Sequence, residues 1–187
     1  MASSSTRNDV LEAASQVLDR HGAKHLTIEA VAREAGVSKG GVLYHFRTKA
    51  ELIRAVVLFY LESLEADIEM RIAAEEPGPG RLARAFLAHH AAKPLHCADG
   101  VLDMLAMVGH DPELREMVGQ FRRRLLSRMQ DDGLDPTLVT LLFCAAEGMM
   151  FAEILDLDPR DVEHKADALA LGRRLTFPGA WSDRTAD

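Results

Sequence analysis

The stretch from Ile28 to Phe46, IEAVAREAGVSKGGVLYHF, has residue types and a spacing suited to gripping double-stranded DNA. Ala32 is small where two helices must cross closely, Gly36 supplies the turn, and Val42 returns to the core between them. A turn of about three or four residues fixes a near-perpendicular crossing, the grammar of a helix-turn-helix. The second helix of such a pair lies in the major groove, with its N-terminal side chains on base edges.

Other chemistry is poorly served. His89, His90, His96, Cys97 and His110 invite a metal reading, but no pair has zinc-finger spacing, and neither a metal nor any other cofactor is expected. The chain holds no P-loop, Gly-x-Ser-x-Gly, dinucleotide fingerprint or HExxH, which speaks against an enzyme. Glu147 stands among apolar neighbours and needs a partner: an arginine across a dimer, a histidine or a ligand. Arg122, Arg123 and Arg124 read as a solvated face whose aliphatic stems cover apolar surface.

The elements that position these residues are helical. Hydrophobic residues make up 48% and charged residues 27% of 187, a globular balance, while aromatics reach only 5%. Abundant Ala and Leu, with no alternating β-branched run, predict an all-α fold. The net charge of −7 is unevenly spread. Residues 1–50 hold seven Lys or Arg against five Asp or Glu, a net of +2, and the other 137 residues hold 15 against 24, a net of −9. The net-basic part is therefore N-terminal, where a phosphate-contacting surface is needed. Cys97 and Cys144 form neither a disulfide framework nor a zinc pattern and suit a reducing cytoplasm, the expected location. MASSST has no apolar core for a secretion signal. The apolar run Leu138 to Leu155 contains Glu147 and is bounded by Asp135 and Asp156, so it reads as a buried helix rather than a membrane span.

About nine helices are expected. Residues 1–6 read as disordered. A first helix from about Arg7 to Arg20 buries Val10, Leu11, Ala14, Val17 and Leu18, and His21-Gly22 stops it. Thr27 caps a second helix, with Leu26 and Val31 as a hydrophobic staple and Ile28, Val31, Ala32 and Ala35 as its inner stripe. Ser38 caps a third that turns Val42, Leu43 and Phe46 inward. Thr48 and Glu51 open a long fourth helix with capping-box spacing, which ends in the loop 75–80. A fifth covers about Arg81 to Ala92 and a sixth about Gly100 to Val108. Asp111-Pro112, Asp135-Pro136 and Asp158-Pro159 then start the last three, each Asp capping and each Pro sitting where no N–H is needed. Three parts follow: a DNA-binding domain over 1–49, a larger helical domain over 50–176, and a tail over 177–187.

The segment Val10 to Val57 resembles the TetR family of transcriptional regulators. The matching elements are T-I-E-A-V-A at 27–32, A-G-V-S-K-G at 35–40, Y-H-F at 44–46 and K-A-E-L-I at 49–53. The resemblance implies that Ser38, Lys39, Gly40 and Gly41 open the recognition helix and face the groove. Lys39 then takes a base or phosphate, with guanine favoured if it reads a base edge. Tyr44, His45 and Lys49 grip phosphates, and Thr27 helps from the start of the second helix. Two positions depart from the pattern. Many relatives carry Thr at position 41 and tyrosine at 43, where this chain has Gly41 and Leu43, with Tyr44 one step later. The glycine pair weakens its helix by about 1 kcal/mol per residue relative to alanine, in exchange for a backbone able to approach DNA closely.

The resemblance further implies that the fourth to ninth helices bind a ligand and dimerise. The eighth helix supports dimerisation by itself, because Leu138, Val139, Leu141, Leu142, Phe143, Ala145, Ala146, Met149, Met150, Phe151, Ile154 and Leu155 surround it with apolar side chains. The ninth offers Val162, Ala166, Leu169 and Leu171 to the same isologous bundle. Candidate ligand contacts are Phe86, His90, Met104, Met107, Phe121, Phe143, Glu147 and Phe151, with Phe59 and Tyr60 nearby in the reading; the competing reading makes them core. The expected partners are palindromic operator DNA, a second copy of the chain and a small-molecule effector. The expected function is a repressor released by that effector, with a constitutive or architectural DNA-binding protein as the alternative.

Overall fold

The structure, a computed structural model, describes residues 7–92, 106–155, 157 and 159–177. The described residues are helices and their connections, with no strand among them, so the all-α expectation holds. The chain divides into two compact units, which separate within the fourth helix, between residues 63 and 64, and again between residues 118 and 119.

The first unit comprises described residues to 63 and 106–118. Helix α1 (Arg7–His21) buries Val10, Leu11, Ala13, Ala14, Val17 and Leu18. Gly22, at φ 76°, donates its N–H to the Leu18 carbonyl at 2.9 Å and stops the helix where anticipated. After a 3₁₀ turn at Ala23–His25, Thr27 caps α2 (Ile28–Glu34) by accepting the Ala30 N–H at 3.1 Å. Leu26 and Val31 are both fully buried, as a staple requires.

Helix α2 ends in a Schellman arrangement. The Val37 N–H reaches the Ala32 carbonyl at 2.9 Å and the Gly36 N–H reaches Arg33 at 3.3 Å, with Gly36 at φ 66°. Ser38 then caps α3 (Lys39–His45), which turns Val42 into the core, with Phe46 buried just beyond its end. Leu43, expected inside, is only half-buried. Helix α4 (Lys49–Ala74) opens with Thr48 accepting the Glu51 N–H at 3.1 Å. The reciprocal bond differs from the expected box: Glu51 accepts from the Arg47 N–H at 2.8 Å, one residue before the cap.

Helix α6 is described over residues 106–110, so most of the anticipated sixth helix lies outside the described residues. Helix α7 (Pro112–Gln130), which crosses into the second unit, starts on Asp111, whose carboxylate accepts from Glu113 and Leu114 at 2.8 and 3.3 Å. The expected Asp158 cap, residues 1–6 and the tail past Phe177 lie outside the described residues.

The second unit comprises described residues 64–92 and those from Gly119 onward. In it α5 (Arg81–Ala92) packs against α8 (Pro136–Ile154) and α9 (Pro159–Leu175), which also pack on each other. Asp132 ties the α7–α8 connection to the start of α5: its carboxylate accepts the Leu82 N–H at 2.6 Å, and its carbonyl accepts the Gly80 N–H at 2.8 Å. Gly80 is required there, because its φ is 76° and a Cβ would sit 2.7 Å from Leu134 Cδ1. Arg84 is buried to 2% exposure and donates to the carbonyls of Pro79 and Glu76 at 2.8 and 2.7 Å. Glu75 lies 3.4 Å from Arg84 Nε and accepts both Arg173 Nη groups at 2.5 and 2.7 Å. One carboxylate thus joins the loop after α4 to α5 and α9.

Candidate DNA-binding and effector sites

The residues expected to face DNA lie at the start of α2, along α3 and at the start of α4. Two act first as structural caps. Thr27 serves α2, and the Ser38 hydroxyl accepts the Gly41 N–H at 3.1 Å. Each hydroxyl can still offer its own proton to a phosphate oxygen. Tyr44 is 83% exposed, which excludes a half-buried packing role, and its ring meets His45 edge-on at 5.1 Å. His45 is half-buried, while Lys39 and Lys49 are exposed.

The glycine pair serves no internal purpose that the fold reveals. A Cβ at Gly40 would meet nothing closer than 3.7 Å, and one at Gly41 nothing closer than 3.5 Å. Neither has the positive φ that demands glycine. The helix therefore carries two weak formers without a steric need among the described residues, and leaves a bare backbone at the start of α3.

Sequence reasoning missed Glu29. Its carboxylate lies 2.6 Å from Lys39 Nζ, joining α2 to the first residue of α3, and both side chains are exposed. The Lys39 hydrogen bond holds the Glu29 carboxyl below its ordinary range. In the sequence Glu29 reads merely as an acid favourably placed in a helix's first turn.

The expected effector contacts are divided between the two units. In the second unit Phe86 and Phe143 stack at 5.1 Å, and His90 lies against Phe86 at 4.3 Å. Glu147 is paired with Arg122 of its own chain, which also sits over the Phe143 ring at 5.1 Å. That partner was not among those considered for Glu147: the first arginine of the supposed solvated run is half-exposed and pairs with Glu147, while Arg123 and Arg124 are exposed. Phe121 is buried beneath Arg124, and Phe151 is half-buried. Met107, with Phe59 and Tyr60, belongs to the first unit, and Met104 lies outside the described residues. An open groove of about 410 Å³ between α5 and α9 is lined by Leu87, Ala88, Ala91, Ala166, Leu169 and neighbours, none of them an expected contact. The histidine and cysteine set yields no metal cluster among the described residues, and His96 and Cys97 lie outside them.

Burial has a measurable consequence at His90. Its Nδ1–H donates to the Phe86 carbonyl at 3.0 Å, and burial pushes the imidazole down to about 4. A base depressed on folding contributes stability that is complete above its unfolded value near 6.5 and is lost as pH falls towards 4. The loss across that window amounts to about 3 kcal/mol. His90→Phe should flatten the decline in urea stability between pH 6.5 and 4; curves running parallel to the unsubstituted protein's would contradict it. Asp67 acts in a lower window. Arg71 and His89 hold it at about 2, and their stabilisation is lost only as pH falls from about 4 towards 2.

One face of α8 is left exposed by the described residues. Leu138, Val139, Leu142, Phe143 and Ala146 are buried, whereas Leu141, Cys144, Ala145 and Gly148 are exposed at helical spacing. By length and composition Pro136–Glu153 is apolar enough to cross a bilayer, yet 28% of it is buried against the chain's own helices. On α9, Leu169 is buried and Leu171 exposed, so Leu169, anticipated at a dimer surface, belongs to the core. Val162 has no described side chain.

Comparison with known proteins completes the description. Residues 10–56 match the family of bacterial regulatory proteins called tetR, and residues 80–176 match a tetracyclin repressor-like C-terminal domain. HTH-type transcriptional regulator SrpR of Pseudomonas putida is 37% identical over 62 residues, which is 33% of this chain and 29% of that protein. Matches to the curated relatives span less than half of those proteins' length. The fold is shared with a TetR transcription regulator from Haloarcula marismortui (TM-score 0.72, 20% identity, 90% of this chain and 96% of that one). It is also shared with multidrug binding protein EbrR in complex with malachite green (TM-score 0.65, 23% identity, 89% and 96%).

Proposed function

This chain belongs to the TetR family of bacterial regulatory proteins, and on that premise we propose that it is a cytoplasmic homodimer that represses transcription from palindromic operator DNA. The single observation that carries the reading is the outer side of α3: exposed Lys39 and Tyr44 flanking two glycines that the fold itself does not need. Such a surface brings a bare helix backbone close to base edges, with Lys39 as the donor to guanine or phosphate and Thr27, Ser38, Tyr44, His45 and Lys49 holding the duplex backbone. DNA binding is the work of residues up to about 49; the remainder dimerises and senses.

Dimerisation uses the outer face of α8 together with α9. The exposed apolar line Leu141–Ala145–Gly148 is narrow enough for close approach of a symmetric copy. A small-molecule effector acts through the second unit, where Phe86, His90, Phe143, Glu147 and Arg122 bring aromatic faces and a charge pair together. The C-terminal match over 80–176 favours this reading over a constitutive or architectural DNA-binding protein. EbrR, which shares the fold, is itself named a multidrug binding protein. Release follows only if the effector prefers one dimer state, and full switching from 99:1 to 1:99 takes about 5.5 kcal/mol of preference.

Fluorescence anisotropy on genomic fragments tests the proposal. The unsubstituted protein should bind one fragment tightly, and Lys39→Ala with Lys49→Ala should weaken it by about a hundredfold or more. Equal, weak binding of both proteins to all fragments would refute operator recognition.

A further inference from the structure

Resting on that reading, we propose that Glu29 is a specificity-determining residue, which holds Lys39 in a clasp that indifferent DNA sequence cannot profitably open. The clasp is a 2.6 Å contact between α2 and α3, made by two exposed side chains on the surface assigned to DNA. Gly40 and Gly41 follow Lys39 and carry no side chains, so Lys39 is the cation nearest the start of the recognition helix. What Lys39 is bonded to therefore weighs heavily on how that end of the helix meets DNA.

The physics is a competition. A phosphate approaching Lys39 must displace Glu29, and the released carboxylate then faces a polyanion. Contact with an arbitrary sequence replaces one charged partner by another and adds repulsion, so little is gained. A guanine offers the ammonium two acceptors, O6 and N7, without placing a formal charge beside the carboxylate. Glu29 thus weakens every phosphate-only encounter while leaving the base contact comparatively unharmed. Discrimination of this kind arises from a repulsive element rather than from an added attraction. The cap of α2 does not depend on this acid, since Thr27 supplies it and Glu29 is exposed, and its place in the first turn of α2 accounts for an acid there but not for the contact with Lys39.

The test is a double-mutant cycle with Glu29→Gln and Lys39→Ala, using a tightly bound genomic fragment and a random-sequence duplex of equal length. Glu29→Gln should tighten binding to the random duplex by about two- to fivefold, the scale of an exposed ion pair. It should steepen the salt dependence by about one ion and narrow the ratio between the two duplexes. The gain should vanish in the Lys39→Ala background, because the effect passes through Lys39. In the absence of DNA, the Glu29 carboxyl resonance should titrate below the ordinary range and move back towards it in Lys39→Ala, the backbone N–H of Glu29 retaining part of the shift. A gain that persists without Lys39, or an unchanged ratio, would overturn the clasp while leaving operator binding intact. A Glu29 carboxyl that titrates identically with and without Lys39 would overturn it without any DNA. Failure of the unsubstituted protein to bind either duplex would overturn the operator reading itself, and this inference with it.

Discussion

Arg84→Met is expected to destabilise the chain by about 3–5 kcal/mol, the usual cost of removing one member of a buried charged pair. The methionine stem fills much of the same space, so the loss isolates the guanidinium. Two carbonyls, Glu76 and Pro79, lose their donors, and the buried Glu75 keeps only Arg173. Unsatisfied buried acceptors add to the loss of the ion pair. Because a domain is commonly stable by only 5–15 kcal/mol, the variant should unfold at markedly lower urea concentration and temperature. Chemical denaturation followed by helical circular dichroism measures it. A change under about 1 kcal/mol would show that Arg84 behaves as a surface charge, against its burial.

The second large effect concerns assembly. Leu141 is 59% exposed on α8 and lies outside the buried core of the described residues. In the proposed dimer, Leu141→Glu would place two carboxylates near each other across the two-fold axis, where like charges cost several kcal/mol. The dimer dissociation constant should rise by about a hundredfold or more, with helical content and melting of each chain little changed. Operator affinity should fall with it, since a lone recognition helix loses its partner half-site. Sedimentation velocity at micromolar concentration reads the assembly directly. A persistent dimer would move the interface elsewhere, the α5–α9 groove being the next apolar surface.

What was legible in the sequence was the local chemistry. Thr27, Gly36, Ser38, Asp111 and Asp135 act on backbone groups within a few residues, so their types and spacing suffice to locate helix ends. The apolar girdle of α8 was legible too, because no single core covers every face of a helix. Which side it turns outward was not, since that depends on α5 and α9. Leu169 shows the same limit: its apolar character is plain, but only packing assigns it to the core. Arg84 looks like a surface arginine until the loop carbonyls at 76 and 79 curl around it. Arg122 looks like one of three solvated charges until Glu147 is placed beside it. Glu29 and Lys39, ten positions apart, meet only through the geometry of the turn at Gly36. The candidate DNA contacts were therefore named from the family resemblance and the helix-turn-helix pattern, whereas the charged pairs Glu29–Lys39 and Arg122–Glu147 needed the folded chain.

The most direct test of the proposed regulator is a hydroxyl-radical footprint on the tightest-binding genomic fragment, with stoichiometry measured on the same complex. Two protected patches on one face of the duplex, centred about 34–36 Å apart and occupied by two chains, are the predicted result. A single protected patch occupied by one chain, or uniform protection without regard to sequence, would contradict a dimer that sets two α3 helices in successive major grooves.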